Sequence, residues 1–413
     1  MYVTLRDRPA GDPGERPVDR AVRRVASTVF LLGIVSMLTD ISSEMVNAIL
    51  PVYLTTEVGV GLIGYGFIDG LYQGVSAFLR IGGGVVGDRG GHPKWVAAAG
   101  YAMSAVSRLI MLPVHGLAAI SGVITLDRLG KGLRTAPRDA LIADVTEPAM
   151  LGRAFGVHRA LDTLGAALGP LTAFALLAAV PAGYDAIFVA SFAVAIVGVA
   201  VIVLFVPDRR TGEGQPRIPV ARLWAAMKTP KLRRLLMAAS LLGLVTVGDG
   251  FLYLSLQKRD DFATALFPLL YVGTNVAYLV LAIPFGRLAD RIGRAKVLIG
   301  GHVALLAGYL VAAAPLGGAA WTVVVLLLLG VFYAATDGVL PALVSRFVPA
   351  AARGSAIAAA QTVVVVARLL SSLGFGVLWT MTGRQSALVI VAVLLGVAIP
   401  VAAGLLSVRA AER

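Results

Sequence analysis

The chain has 413 residues, of which 58% are hydrophobic and only 14% are charged. A soluble domain is typically about 45–50% apolar and about 25% charged, so the composition is that of a membrane protein. The net charge of +13 does not indicate nucleic-acid binding, because the basic residues fall mainly in short loops between apolar segments. There is no cysteine, which excludes disulfides and thiolate metal sites, and the four histidines form no metal-binding cluster, so neither a metal nor a cofactor is expected.

Apolar segments separated by glycine, proline or charge recur along the whole chain. A membrane-spanning helix needs about 20 mostly apolar residues. Only helices or closed barrels satisfy their backbone hydrogen bonds in lipid, and the sequence lacks the alternating pattern of barrel strands. We therefore predict an all-α membrane protein with about twelve spans. The spans are 26–54, 60–84, 95–115, 117–137, 152–180, 185–206, 234–256, 263–286, 296–315, 319–343, 354–380 and 385–408.

The distribution of Lys and Arg predicts the orientation in the membrane. These residues crowd the N-terminal tail and the polar stretch 207–233, whereas the loops on the opposite side offer only Lys258, Arg259 and Arg384. An even number of spans puts both termini on one side, and the positive-inside rule predicts that this side is cytoplasmic. The predicted parts are a tail (1–25), a six-helix bundle (26–206), a linker (207–233), a second six-helix bundle (234–408) and a short C-terminal tail (409–413).

The two halves contain matching sequences. Leu-Leu-Gly-Ile-Val-Ser-Met-Leu-Thr-Asp at 31–40 matches Leu-Leu-Gly-Leu-Val-Thr-Val-Gly-Asp at 241–249, with one residue dropped. A loop motif, Gly-x-x-x-Asp-Arg-x-Gly-x-x-Lys, occurs at 84–94 and again at 286–296. Internal duplication is typical of secondary transporters, whose substrate site lies between the halves near the membrane midplane.

This repeated loop resembles the latch loop of the major facilitator superfamily, and the resemblance covers essentially the whole chain. The superfamily implies two pseudo-symmetric six-helix bundles, a monomer, and a role for Asp88 and Arg89 in holding one state of the alternating cycle. The residues that carry the resemblance are Gly84, Asp88, Arg89 and Gly91 in the first half and Gly286, Asp290, Arg291 and Gly293 in the second.

Two further motifs resemble those of the proton-antiporter branch with twelve spans. Arg128-x-x-Lys131-Gly132 is similar to the family's Arg-x-x-Gln-Gly, whose arginine is linked to proton coupling, with Lys131 in place of glutamine. In span five, a Gly-rich motif has the spacing of the antiporter motif, which favours export in exchange for protons. The alternative is ordinary close packing of Gly-rich helices. The motif consists of Gly156, Gly165, Gly169 and Pro170, and lacks the family's closing pair of glycines.

Ionisable side chains near the middle of the bilayer are costly, so each one is a functional candidate. Asp40, Glu44 and Asn47 lie on one stripe of the first span, where two neighbouring carboxyl groups should not both ionise and one is expected to carry a proton. The alternative is a structural network of hydrogen bonds between helices. Arg159 and Asp162 are expected to form a local ion pair. The other candidates for the substrate cavity or proton pathway are Asp69, Gln73, Arg108, Arg128, Asp249 and Arg368.

The predicted function is secondary active transport of a small solute by alternating access, with proton antiport and efflux of a small organic molecule as the first hypothesis. An uptake symporter, a carrier of a siderophore, metabolite or cation, and a membrane sensor are the alternatives. The usual catalytic motifs do not occur, so no enzymatic activity is expected. The expected partners are the small-molecule substrate, protons and the lipid bilayer of the cell membrane.

Overall fold

A computed structural model gives the structure of most of the chain. Every regular element in its described residues is a helix, which confirms the predicted all-α class. The side chains of Gln73 and of residues 76–87 lie outside the described part. The described residues are 27–87, 92–208, 230–337, 339–344 and 353–406.

The N-terminal half, defined here as residues 27–208, contains six long helices. The first is extended by a short helical turn at Leu50–Val52 and a π-helical turn at Tyr53–Glu57, and a 3₁₀ turn at Pro148–Met150 precedes the fifth. The six helices are α1 (Ser27–Asn47), α2 (Leu62–Gly87), α3 (Pro93–Ile110), α4 (Leu117–Asp144), α5 (Leu151–Ala179) and α6 (Tyr184–Phe205).

The C-terminal half, defined here as residues 230–406, contains eight helices, two of which form broken continuations of their predecessors. A 3₁₀ turn at Thr264–Leu266 precedes the third. The helices are α7 (Pro230–Leu244), α8 (Asp249–Asp260), α9 (Phe267–Ile292), α10 (Arg294–Ala313), α11 (Ala319–Thr336), α12 (Val339–Val344), α13 (Arg353–Thr382) and α14 (Arg384–Leu406).

Nine stretches of the described residues are long and apolar enough to cross a membrane, so the protein is a multi-pass membrane protein. Helices α2, α3 and α4 lie where three more spans are predicted but are not among the nine. In α4 the reason is charge, since the helix contains Asp127, Arg128, Lys131 and Arg134. The count of twelve spans stays a prediction. The nine stretches are Ser27–Glu57, Leu151–Ala179, Tyr184–Phe205, Pro230–Asp260, Thr264–Ile292, Arg294–Ala313, Ala319–Val344, Ala360–Thr382 and Arg384–Leu406.

The first span of each half is broken, whereas the sequence predicts a continuous helix in both. The α-helical pattern stops after Asn47 in the first half and between Leu244 and Asp249 in the second. In the second break, the backbone N–H of Val247 donates a hydrogen bond to Tyr309 Oη at 2.8 Å. Irregular backbone inside a membrane protein needs such a partner, because lipid offers none. The matching sequences at 31–40 and 241–249 therefore do not have matching backbones.

Helices α1 and α5 pack tightly against each other through glycines. A Cβ atom on Gly165 would lie 2.4 Å from the carbonyl oxygen of Met37, and one on Gly169 would lie 2.8 Å from that of Ile41. The second contact lies four residues further along both helices than the first, so the two helices run in the same direction. Spaced glycines permit this close approach of two backbones.

The two halves meet through α2 and α13. A Cβ atom on Gly66 would lie 2.5 Å from the carbonyl oxygen of Ser372, and one on Gly376 would lie 2.4 Å from that of Leu62. These contacts lie at the start of α2 and toward the end of α13, on the side that the sequence predicts to be external. An aromatic cluster adds to this closure, with ring centroids 4.7 to 6.1 Å apart. It consists of Tyr65, Phe251, Phe375 and Trp379.

Candidate functional site

A buried group of three charges lies on α3 and α4. Arg108 Nη2 is 2.8 Å from Asp127 Oδ1, and Arg128 Nε donates to Asp127 Oδ2 at 2.9 Å, with a second hydrogen bond from Arg128 Nη2. The three side chains are only 4–6% exposed. The guanidinium of Arg128 also lies over the ring of Tyr72, 3.8 Å from its centroid. Arg108 and Arg128 therefore bind Asp127 rather than the carboxyl groups of the first span.

Arg108 also connects α3 to α1. Its Nη2 donates to Ser43 Oγ at 3.1 Å, and its Nη1 donates to Ser107 Oγ at 3.2 Å. Its Nε is buried and has no hydrogen-bond partner among the described residues. A small cavity of about 20 Å³ lies beside this group, lined by Ser43, Tyr72, Arg108, Asp127 and Arg128 among others.

Asp40 is paired with Asp162 of α5 and not with Glu44. The two carboxyl groups lie close enough to interact, and Ser36 Oγ donates to Asp162 Oδ1 at 2.9 Å. Arg134 Nη2 lies 3.8 Å from Asp40 Oδ1. The expected ion pair between Arg159 and Asp162 is present at 3.3 Å, but the Arg159 side chain is 77% exposed. Asp162 therefore interacts with Asp40 and Ser36 as well as with the exposed Arg159.

Glu44 has different neighbours. Asn47 Nδ2 donates to Glu44 Oε2 at 3.0 Å, so these two members of the predicted stripe do interact. Glu44 also lies within electrostatic range of Arg128 and Lys131 on α4. Asp40 therefore lies between α5 and α4, where it contacts Asp162 and Arg134, and Glu44 shares Lys131 of α4 with it.

A third group of polar side chains lies in and next to the C-terminal half. Tyr333 Oη donates to both carboxylate oxygens of Asp249, at 2.7 and 2.8 Å. Arg368 lies within electrostatic range of Asp249, and its Nε has no partner among the described residues. Ser372 donates to Asp69 across the boundary between the two halves. The predicted candidates Asp69, Asp249 and Arg368 are therefore close together, while the side chain of Gln73 is not described.

The second copy of the latch motif forms the sharp turn that its glycine predicts. Gly293 has a φ of +101°, a conformation that favours glycine, and it both ends α9 and precedes α10. Arg294 binds Asp290 at 3.2 Å and the carbonyl oxygen of Ala342 at 3.3 Å, which ties the turn to α12. Gly286 and Arg291 lie in the exposed part of α9. In the first copy, Gly84 lies in α2, and Asp88, Arg89 and Gly91 lie outside the described residues.

The antiporter-like motif divides into two parts. Gly165 and Gly169 are at the close contact with α1, and Pro170 is buried inside α5. Gly156 has no atom within 4 Å of where a Cβ would be, so nothing in the structure requires a glycine there. The motif thus brings α5 against α1 at the level where Asp40 and Asp162 meet.

Sequence reasoning did not include Asp127, Asp162, Arg134 and Tyr333 among the site residues. Asp127 stands next to Arg128 inside a predicted span, and two adjacent opposite charges there indicate a buried ion pair. Asp162 comes one helical turn before Gly165, a position that closely packed helices bring against the facing helix. No local signal identifies Tyr333, because its contact with Asp249 joins residues 84 positions apart.

Comparison with known proteins identifies the family. The sequence matches the model of the Major Facilitator Superfamily over residues 32–274 and 260–413. The chain belongs to the Major Facilitator Superfamily. It is 30% identical over 376 residues to an uncharacterised MFS-type transporter of Methanocaldococcus jannaschii, covering 88% of this chain and 91% of the relative. An uncharacterised protein of Mycobacterium tuberculosis is 27% identical over 301 residues, or 68% of this chain and 71% of the relative.

Solved structures of transporters share the fold. A mutant of the nucleoside transporter NupG superposes with a TM-score of 0.81 at 15% identity, covering 92% of this chain and all of that chain. A POT family transporter in complex with a thioalcohol-conjugated peptide gives a TM-score of 0.75 at 11% identity, covering 90% and 94% of the two chains. The chain is therefore a membrane transporter of this superfamily and not an enzyme, as the sequence predicts.

Proposed function

We propose that this superfamily member is a proton-coupled antiporter that exports a small organic molecule. The observation that carries the proposal is the carboxyl pair Asp40–Asp162 between α1 and α5. Two carboxyl groups brought together in a buried place cannot easily both ionise, so the pair is suited to hold one proton. Their side chains are 14% and 18% exposed, which lets water deliver and remove that proton.

The surroundings of the pair suit reversible proton binding. Lys131 and Arg134 of α4 act on Asp40, and Arg138 and Arg159 act on Asp162. These four basic groups favour two ionised carboxylates, whereas burial and the repulsion between the two carboxylates favour one shared proton. A balance of opposing effects of this kind allows a small rearrangement of α1 against α5 to release the proton. His158 lies near Asp162 as a further titratable group.

The substrate is proposed to bind between the halves, where Asp69, Asp249, Tyr333 and Arg368 lie half-buried. This set includes hydrogen-bond donors, acceptors and both signs of charge, and superfamily transporters bind substrate at this level. The solved neighbours are described as transporters of nucleosides and peptides. A polar organic molecule of similar size therefore suits the proposed cavity. The antiporter-like spacing of Gly165, Gly169 and Pro170 supports export rather than uptake.

The proposal is tested in proteoliposomes that are loaded with acid and contain a pH-sensitive dye. Nucleosides, dipeptides, organic acids and cationic drugs are added outside one at a time. We expect at least one compound to enter in exchange for protons, which raises the internal pH. Co-entry of protons with a compound would instead favour the uptake symporter.

Substitutions separate coupling from transport. Asp40→Asn and Asp162→Asn should each abolish proton movement while substrate still exchanges for substrate across the membrane. Asp185→Asn, at an exposed position on α6, is the matched control and should keep both activities. Proton movement that survives in the double variant Asp40→Asn/Asp162→Asn would show that another group carries the proton.

A further inference from the structure

The cavity beside Arg108 lies among α1, α2, α3, α4 and α6 of the N-terminal half. Its volume of about 20 Å³ is enough for one water molecule or one small ion. Its walls combine apolar side chains, such as Val46 and Ile124, with the two arginines and the hydroxyl groups of Ser43 and Ser107. An apolar wall with a few convergent donors is typical of a site that selects one small ligand.

Arg108 leaves one strong donor without a partner. Its two terminal nitrogens bind Asp127, Ser43 and Ser107, but its buried Nε has no hydrogen-bond partner among the described residues. A buried N–H of a charged group is costly to leave unpaired, and this one belongs to a side chain that lines the cavity. The ligand that satisfies it best is an acceptor with negative charge.

The charges around the cavity also favour an anion. Arg108 and Arg128 share the single carboxylate of Asp127. Glu44 is the next carboxylate, but it does not line the cavity, and Lys131 as well as Arg128 lies within its electrostatic range. On the cavity wall itself, two arginines face the single carboxylate of Asp127, so the lining carries a net positive charge in a place where charge is poorly solvated.

We propose that this cavity binds one small monovalent anion, held by Arg108 and Arg128. The anion supplies the missing acceptor for Arg108 Nε and the missing negative charge. The same chemistry has two sources, which are a free inorganic anion such as chloride and the carboxylate end of a transported molecule. Binding there would stabilise the packing of α1, α3 and α4, because all three helices contribute groups to the site.

The test is the melting temperature of the purified full-length protein in detergent, measured in sodium isethionate with increasing chloride, nitrate or formate at constant ionic strength. A ligand that binds only the folded protein raises the melting temperature in a saturable way. We expect a rise of about 2–5 °C that saturates at millimolar concentration. Saturation with chloride or nitrate identifies a free inorganic anion, and saturation with formate alone identifies a carboxylate group.

Two variants assign the effect to the cavity. Arg108→Gln removes the unpaired donor and should abolish the saturable rise, whereas Arg287→Gln removes an exposed arginine of α9 and should keep it. If Arg108→Gln does not fold, Val46→Leu fills the cavity, keeps both arginines and should also abolish the rise.

Equal melting temperatures in all salts, or a rise that persists in both Val46→Leu and Arg108→Gln, would overturn the proposal and indicate that a water molecule fills the cavity. No proton gradient and no transported compound are present in this experiment. Its outcome is therefore independent of whether the protein couples transport to protons.

Discussion

Asp127 is the carboxylate on which two buried arginines depend. It binds Arg108 through one oxygen and Arg128 through the other, and all three side chains are almost fully buried. Removing one partner of a buried ion pair is far more costly than removing an exposed one, because the remaining charge has neither water nor a counterion. We therefore assign Asp127 a structural role, which is to supply the counterion for two buried arginines.

Asp127→Asn should lower the free energy of unfolding by about 3–5 kcal/mol, because it leaves two buried guanidinium groups without a counterion. The measurement is thermal unfolding in detergent. Asp290→Asn is the control, since the Asp290 side chain is 69% exposed and its pair with Arg294 should contribute about 1 kcal/mol or less. Similar losses in the two variants would contradict the structural role assigned to Asp127.

Two glycines of the antiporter-like motif allow helices α1 and α5 to pack at a short distance. Gly165 and Gly169 face the backbone of α1, while Gly156 of the same motif faces open space. The same contact brings Asp162 against Ser36 and Asp40. The close packing of α1 against α5 therefore also forms the proposed proton site.

Gly165→Ala should destabilise the protein by about 1–3 kcal/mol, because the new Cβ would lie 2.4 Å from the carbonyl oxygen of Met37. It should also slow the proposed proton-coupled transport, which depends on a rearrangement of α1 against α5. Gly156→Ala, with nothing within 4 Å, should be neutral or stabilising by up to about 1 kcal/mol. Unfolding temperature and initial transport rate are the two measurements, and a harmless Gly165→Ala would contradict the close contact.

A further cluster of buried charge, formed by Arg259 and Asp260, joins α8, α10 and α11 on the predicted external side. Arg259 binds Asp260 at 2.8 Å and the carbonyl oxygen of Val311 at 3.2 Å. Thr322 Oγ1 donates to Asp260 at 2.6 Å and accepts from Arg259 at 3.1 Å. The sequence places Arg259 in a loop between two spans. In the structure it lies at the end of α8 and forms hydrogen bonds to α10 and α11.

Thr322→Val keeps the shape of the side chain and removes both hydrogen bonds, so it should cost about 1–3 kcal/mol of stability. Thr382→Val is the matched control, because the exposed Thr382 hydroxyl bonds only to Leu378 of its own helix. Thermal unfolding of the two variants distinguishes them. An equal effect would mean that the cluster around Asp260 does not stabilise the C-terminal half.

At the scale of the whole molecule, the two halves touch where α2 and α13 cross at their closest approach. Gly66 and Gly376 allow the contact, and Ser372 binds Asp69 across it. Alternating access requires that this contact break and reform as the halves rock against each other. The contact is therefore expected to control the balance between the closed and open states of this side.

Gly66→Val should shift that balance toward the open state, because the side chain would overlap the backbone of α13 at Ser372. Spin labels on Gly61→Cys and Thr382→Cys report the distance between the halves, and the chain has no native cysteine to replace. We expect Gly66→Val to lengthen and broaden the distance distribution measured by double electron–electron resonance.

Gly374→Val, also on α13 but with nothing within 4 Å of the glycine, is the control for this measurement. It should leave the distance distribution unchanged. A distribution that is the same in Gly66→Val and in the parent protein would show that this helix contact does not limit opening.

The sequence by itself determined the class, the family and the choice of most candidate residues. Apolar length predicts membrane helices, and motif spacing indicates the superfamily, because both are properties of short stretches of chain. The cost of charge in a bilayer was enough to select Asp40, Arg108 and Asp249.

Only the tertiary structure decided the partners of these charges. Asp40 meets Asp162 and not Glu44, Asp127 takes both arginines, and Tyr333 binds Asp249, each across a separation that no periodicity encodes. The break before Asp249 likewise depends on the distant hydroxyl of Tyr309. Residue type determines which kind of counterion or hydrogen-bond partner a buried side chain requires. Helix packing decides which distant residue is that partner, because many pairings are compatible with the same local sequence pattern.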